Sequence, residues 1–163
     1  MKRLSLLALI LLVLVADQTT KQLARVHLQQ HEVRRFAGDT VTLLYAENSG
    51  AFLSLGADLP AVVRQVILNG IVGIGLAVAA WVLFTGRMQL KWDEVALALI
   101  IAGGIGNLID RVRNHGRVTD FIYLAAGPVH TGVFNIADLA ITTGVIWLML
   151  SWMVVKKPKV EAP

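Results

Sequence analysis

FNIADLAITTGVIWLMLSWMVV, residues 134–155, places one carboxylate, Asp138, in an otherwise apolar run long enough to cross a bilayer. An ionisable group at membrane depth is costly and usually serves a function. A second carboxylate, Asp120 in GRVTDFI (116–122), stands in the short loop ahead of this run, from which it can fold back onto Asp138. Two facing carboxylates are the minimal equipment of an aspartic peptidase.

Three more apolar stretches lie upstream, at about 4–22, 61–84 and 93–110, each near the roughly 20 residues that a spanning helix requires. With 163 residues, 56% hydrophobic and 16% charged, the chain has too little polar surface to cover a soluble globule. Its mean hydropathy of +0.66 agrees. The sequence predicts an all-α membrane protein with a single domain, 1–163, and four transmembrane helices, at about 4–22, 61–84, 93–110 and 133–155. A small β-sheet or extended subdomain is expected in the long loop at about 23–60, because VTLLYAEN (41–48) alternates and follows the turn signal Gly38-Asp39. Pro60 suits the start of the second helix, and Gly70, Gly73 and Gly75 offer it close helix contact. The opening MKRLSLLALILLVLVA resembles a secretory signal, but Leu14 ahead of Val15-Ala16 makes a poor cleavage site, so the segment is expected to remain as the first span.

Four spans put both termini on one side, together with the turn near Thr85 to Trp92. Lys2, Arg3, Arg87, Lys91, Lys156, Lys157 and Lys159 crowd these short segments, which marks that side as cytoplasmic. Asp17 to Lys21, Asn107 to Arg111, Asn135 and Asp138 then collect at the outer face. Counted from 133, Asp138 lies about five residues into its helix, just below the interface. The net charge of +4 is spread over helix ends with no basic run interleaved with aromatics, so nucleic acid is not an expected partner. The chain has no cysteine, which excludes disulfides, thiolate metal sites and a Cys nucleophile.

Asp17 and Lys21 are spaced i, i+4, and they either neutralise a helix end or border a site. In GGIGNLIDR (103–111), Gly103, Gly104 and Gly106 make a smooth helical face, while Asn107, Asp110 and Arg111 cluster at its outer end. Asp110 beside Arg111 reads as a fixed ion pair that supports something else. Asn135 stands one turn from Asp138 and could orient it or hold substrate. In ENSGAFLSLG (47–56), Asn48 and Gly50 mark a turn where the chain re-enters the membrane, and Ala51, Phe52 and Leu53 could dip into the interface. His27 and His31 share a helical spacing but lack a third ligand, and His115 and His130 read as solvated, so no metal is expected. Intramembrane acids also build proton relays, which keeps a small proton-coupled transporter or channel subunit as the alternative function, with a non-enzymatic scaffold behind it.

DQTTK (17–21), ENSGAF (47–52), GGIGNLIDR (103–111), GRVTDFI (116–122) and FNIADLAI (134–141) together closely resemble the motifs of the lipoprotein signal peptidases, or signal peptidase II. The resemblance covers almost the whole chain in order and spacing. It implies a multi-pass aspartic endopeptidase of the bacterial inner membrane that removes signal peptides from diacylglyceryl-modified prolipoproteins, N-terminal to the lipidated cysteine. It further implies Asp120 and Asp138 as the catalytic pair, with Asn48, Gly50, Gly104, Asn107, Asp110, Arg111 and Asn135 in support and Asp17 and Lys21 at the border. No cofactor is expected; the partners are the lipidated substrate and membrane lipids, and the protein is expected to be a monomer.

Overall fold

A computed structural model of the chain describes residues 3–29, 32–50, 60, 62–63, 66–88 and 91–155. Helix α1 (Arg3–Leu28) runs past the expected end at 22, because its last turns have something to bury against: Ala24 and Leu28 pack on Phe121, Leu43 and Tyr45. The helix thereby carries the sheet. Strands β1 (Arg34–Phe36), β2 (Val41–Asn48), β3 (Val118–Ala126) and β4 (Val129–His130) form a four-stranded antiparallel sheet in that order.

The expected strand at 41–48 is present with those limits, and the turn before it uses left-handed backbone at Ala37, Gly38 and Asp39. The sheet is not confined to the loop at 23–60, however, and Asp120 is not in a loop. It lies on β3, paired with Ala46 of β2. Val118 to Phe121 are all buried, so this strand is covered on both faces and lacks the alternation that reveals a half-buried strand. A register shift between Leu43 and Ala46 bends β2 just before it meets Asp120.

The remaining helices are α2 (Val72–Thr85), entered through a π-helical turn at Val66–Ile71, α3 (Lys91–Arg113) and α4 (Ile136–Val155). α1, α3 and α4 are long and apolar enough to cross a membrane, and Asn69–Thr85 is a shorter apolar helix. α3 is the central member: Ala96, Leu97, Ala98, Ile101 and Ala102 are buried, mostly against Leu6, Ile10 and Leu83. The outward faces of α1 and α4 expose Leu4, Leu11, Leu12, Met149, Leu150 and Met153. Apolar surface on that scale suits lipid, not water.

The glycines of α3 do not form one smooth face. An added Cβ at Gly103 would overlap the Ala137 carbonyl of α4, one at Gly104 would overlap the Leu76 side chain of α2, and one at Gly106 would lie 2.6 Å from Asp17 Oδ2 of α1. The three glycines therefore let α3 touch three different helices. Gly144 repeats this on α4 against the Ala96 carbonyl, whereas Gly70, Gly73 and Gly75, expected to make close contacts, meet nothing within 4 Å among the described residues. Ala51, Phe52, Leu53 and His31 lie outside the described residues. His27 and His115 are exposed, as is His130, whose ring stands 5.7 Å from that of Tyr123.

Candidate active site

Asp138 is the third residue of α4, closer to the helix start than expected, and Asn135 is its N-cap. The Asp138 N–H donates to Asn135 Oδ1 at 2.9 Å, and the Asn135 N–H donates back to Asp138 Oδ2 at 3.2 Å. This reciprocal capping box satisfies donors that a helix start leaves orphaned and fixes the carboxylate. The other oxygen, Asp138 Oδ1, accepts from Asn107 Nδ2 of α3 at 2.8 Å.

Asn135 also reaches the second acid. Its Nδ2 donates to Asp120 Oδ1 at 2.6 Å and lies 3.3 Å from both the Thr119 carbonyl and Asn107 Oδ1. One asparagine therefore holds both carboxylates, by its backbone and its side chain. Asp120 is 2% exposed. Burial first, and then the Asp138 charge, push its pKa up to about 6, against the opposing pull of hydrogen bonds from Asn135 and Asn48 and of the Lys21 charge.

This shift has a sign that stability can report. Between about 3.8 and about 6 the folded chain holds a proton at Asp120 that the unfolded chain releases, so the associated stabilisation is complete below that window. It is lost as pH rises through about 6. We expect the melting temperature of the detergent-solubilised protein to fall across this range relative to Asp120→Asn measured alongside. Parallel curves for the two proteins would contradict the burial of an unstabilised charge.

Behind the pair lies a buried ionic layer. Lys21 Nζ, fully buried, is 2.9 Å from Asp17 Oδ2 and 3.6 Å from Asp110 Oδ2, and it donates to Asn107 Oδ1 at 2.9 Å. Asp17 Oδ1 accepts from the Ala137 N–H at 2.9 Å, so a carboxylate of α1 caps the first turn of α4. Gln18 Nε2 bridges Asp17, the Gly106 carbonyl and Asp110. Asp17 and Lys21 thus do more than neutralise a helix end: they join α1 to α3 and α4.

The predicted Asp110–Arg111 pair does not form. Asp110 turns toward Lys21 and Arg25, whose Nη2 is 3.2 Å from Asp110 Oδ1, while Arg111 turns away and donates from Nη2 to the Gly50 carbonyl at 3.1 Å. Neighbours on a helix point about 100° apart, which separates the two roles. Arg111 Nε is buried and has no hydrogen-bond partner among the described residues. Asn48 Oδ1 accepts from the Gly50 N–H at 2.9 Å, which gives the expected turn.

Two cavities flank Asp138. One of about 180 Å³ lies between α4 and the segment Thr131 to Phe134, and one of about 380 Å³ lies among α2, α3 and α4. Asn48, Asp138 and Thr142 line both. Gly104, Asn107 and Arg111 line the larger, whose walls are otherwise mostly apolar, including Val72, Ile141 and Val145. Arg25, Thr119, Gln18 and Thr142 were not anticipated. Arg25 was legible, since Asp17, Lys21 and Arg25 recur every four residues on one helix face.

These features define a membrane protein with several apolar helices and two carboxylates, one on a small sheet and one at a helix start, joined through Asn135. Residues 9–154 match the signal peptidase (SPase) II family, and the chain belongs to it. It is 34% identical to the lipoprotein signal peptidase of Syntrophus aciditrophicus (strain SB) over 148 residues, 91% of each chain. It is 39% identical to that of Streptococcus pyogenes serotype M1 over 149 residues, 91% of this chain and 92% of the relative. A bacterial membrane enzyme solved by the in meso method at 2.3 Å resolution shares the fold, with a TM-score of 0.84 and 24% identity over 98% of this chain and 93% of that one. The chain is accordingly a peptidase of lipoprotein processing, which displaces the transporter reading.

Proposed function

We propose that this protein is an intramembrane aspartic endopeptidase that cleaves diacylglyceryl-modified prolipoproteins N-terminal to the lipidated cysteine, using Asp120 and Asp138 as its catalytic pair. The observation that carries the reading is the single asparagine, Asn135, bonded to both carboxylates. Two close carboxylates do not both ionise easily, so the pair holds one proton. The ionised member takes a proton from water, which attacks the scissile carbonyl, and the protonated member donates to the carbonyl oxygen. As the tetrahedral intermediate collapses, the acid that received the water's proton passes it to the leaving amine. Asn107 and Asn135 hold the acids in place, and Arg111 Nε, without a partner among the described residues, is a donor available to a substrate carbonyl.

The acids sit at the end of the bundle where α3 finishes and α4 begins. In our reading all four apolar helices span the inner membrane, with both termini cytoplasmic, the site at the outer face and the protein acting as a monomer. Trp92 and Trp147, with ring centroids 6.3 Å apart, and Trp81 beneath Arg87 then mark the opposite, cytoplasmic interface. The larger apolar cavity receives the lipid-bearing residue from between the helices, and partitioning of acyl chains at about 0.8 kcal/mol per CH₂ concentrates the substrate.

The purified protein should convert a diacylated prolipoprotein to its mature form and leave the unlipidated precursor intact, as followed by gel shift and mass of the products. Cleavage at another bond, or equal turnover of the unlipidated precursor, would remove the proposed specificity. Loss of activity with a chelator would replace the carboxylate mechanism with a metal one.

A further inference from the structure

Thr119 precedes Asp120 on β3, and because successive strand side chains point to opposite faces, its hydroxyl lies behind the strand, away from the proposed acid. All its polar groups are held. Its N–H donates to Asp110 Oδ2 at 2.9 Å, its carbonyl accepts from Asn135 Nδ2 at 3.3 Å, and its hydroxyl oxygen accepts from Arg25 Nε at 3.1 Å and Nη2 at 2.8 Å. Arg25 also pairs with Asp110. Helices α1, α3 and α4 therefore converge on the one residue beside Asp120, itself 1% exposed.

The same Asn135 amide nitrogen that touches the Thr119 carbonyl donates to Asp120 Oδ1. A displacement of β3 at Thr119 is therefore transmitted to the hydrogen bond that orients the carboxylate. Arg25, 23% exposed on its side chain, is the only cation among the described residues that grips this strand from behind by hydrogen bonds to Thr119. We infer that Arg25 and Thr119 are positioning residues for the peptidase reaction, acting through β3 and Asn135 to set the place of the Asp120 carboxylate. The inference rests on the Asp120–Asp138 reading above.

The test uses the purified full-length protein with a diacylated prolipoprotein, reading kcat, KM, the pH profile and the melting temperature of each variant. Thr119→Val removes the hydroxyl at constant shape and should lower kcat about tenfold with KM within about twofold, since a small misplacement of a reacting group is expensive. The alkaline limb of its pH profile should move, because the contact between Asn135 and Asp120 tunes that proton. Thr119→Ser should recover most of the rate. Arg25→Gln, on a partly exposed side chain, should act in the same direction, and the double variant Arg25→Gln/Thr119→Val should be no slower than the slower single one.

Wild-type kcat and pH profile in both Thr119→Val and Arg25→Gln would overturn the inference, even with a lowered melting temperature, and would leave a packing role alone. A Thr119→Val chain that does not fold leaves Arg25→Gln and Thr119→Ser to decide on the same readouts. Turnover by Asp120→Asn or Asp138→Asn would instead strike at the proposed mechanism itself, so the two failures are distinguishable.

Discussion

Asp120→Asn and Asp138→Asn should each lower turnover of a diacylated prolipoprotein by at least about a thousandfold, with substrate binding preserved, because each amide removes one half of a proton exchange that both steps need. The double variant should be no slower than either single one, since residues that act as a unit lose their effect once. The two variants differ in stability. Asp138 accepts from Asn107 Nδ2 with one oxygen and from the Asn135 N–H with the other, and an amide has only one acceptor to offer. Asp138→Asn should therefore melt below the wild type, whereas Asp120→Asn, which also gives up an acceptor for Asn48, offsets that loss by shedding an ionisation that burial opposes. Single-turnover assays beside thermal melts would resolve both effects. Near-normal cleavage by either variant would end the aspartic mechanism.

The elements that were legible in the sequence are those whose signal is local. VTLLYAEN alternates, so its strand was readable, as were the apolar runs of α1, α3 and α4 and the i, i+4 pairing of Asp17 with Lys21. β3 was hidden because both its faces are covered near Asp120, and its partner lies about 75 residues upstream in β2. The polar residues at 107–111 were readable as a group but not as pairs. Sequence adjacency suggested Asp110 with Arg111, whereas the helical turn sends one toward Lys21 and the other toward Gly50. The glycines show a similar limit. A run of small residues permits close approach but does not supply a neighbour, so Gly103 and Gly106 are pressed by other helices while Gly70 and Gly73 meet none among the described residues. The grouping of Asp17, Lys21, Asn107, Asp110, Asn135 and both proposed catalytic acids at one end followed from antiparallel helices alone. The way Asn135 ties the two acids together did not, because it depends on a cap geometry and a strand pairing at once.

Lys21→Met should produce the largest loss of stability. The ammonium is fully buried and neutralises Asp17 at 2.9 Å and Asp110 at 3.6 Å while donating to Asn107. Removing one partner of a buried ion pair leaves an uncompensated charge and costs about 3–5 kcal/mol. For a chain of this length that corresponds to a melting temperature lower by roughly 10 °C or more. Arg25 can still serve Asp110 at 3.2 Å, so the stranded charge is chiefly Asp17. Asp17→Asn added to Lys21→Met should then recover part of the loss, although not all, because a neutral amide caps the Ala137 N–H more weakly than a carboxylate facing the N-terminus of α4. The single variant should also be slow, since Asn107 Oδ1 loses its nearer donor and keeps only Asn135 Nδ2 at 3.3 Å, which loosens the aim of its bond to Asp138. Thermal melts of the two variants in detergent micelles decide the matter. A Lys21→Met protein that melts within a degree or two of the wild type would mean that the ionic layer is not the brace joining α1, α3 and α4, and that the carboxylates are aligned by the capping box alone.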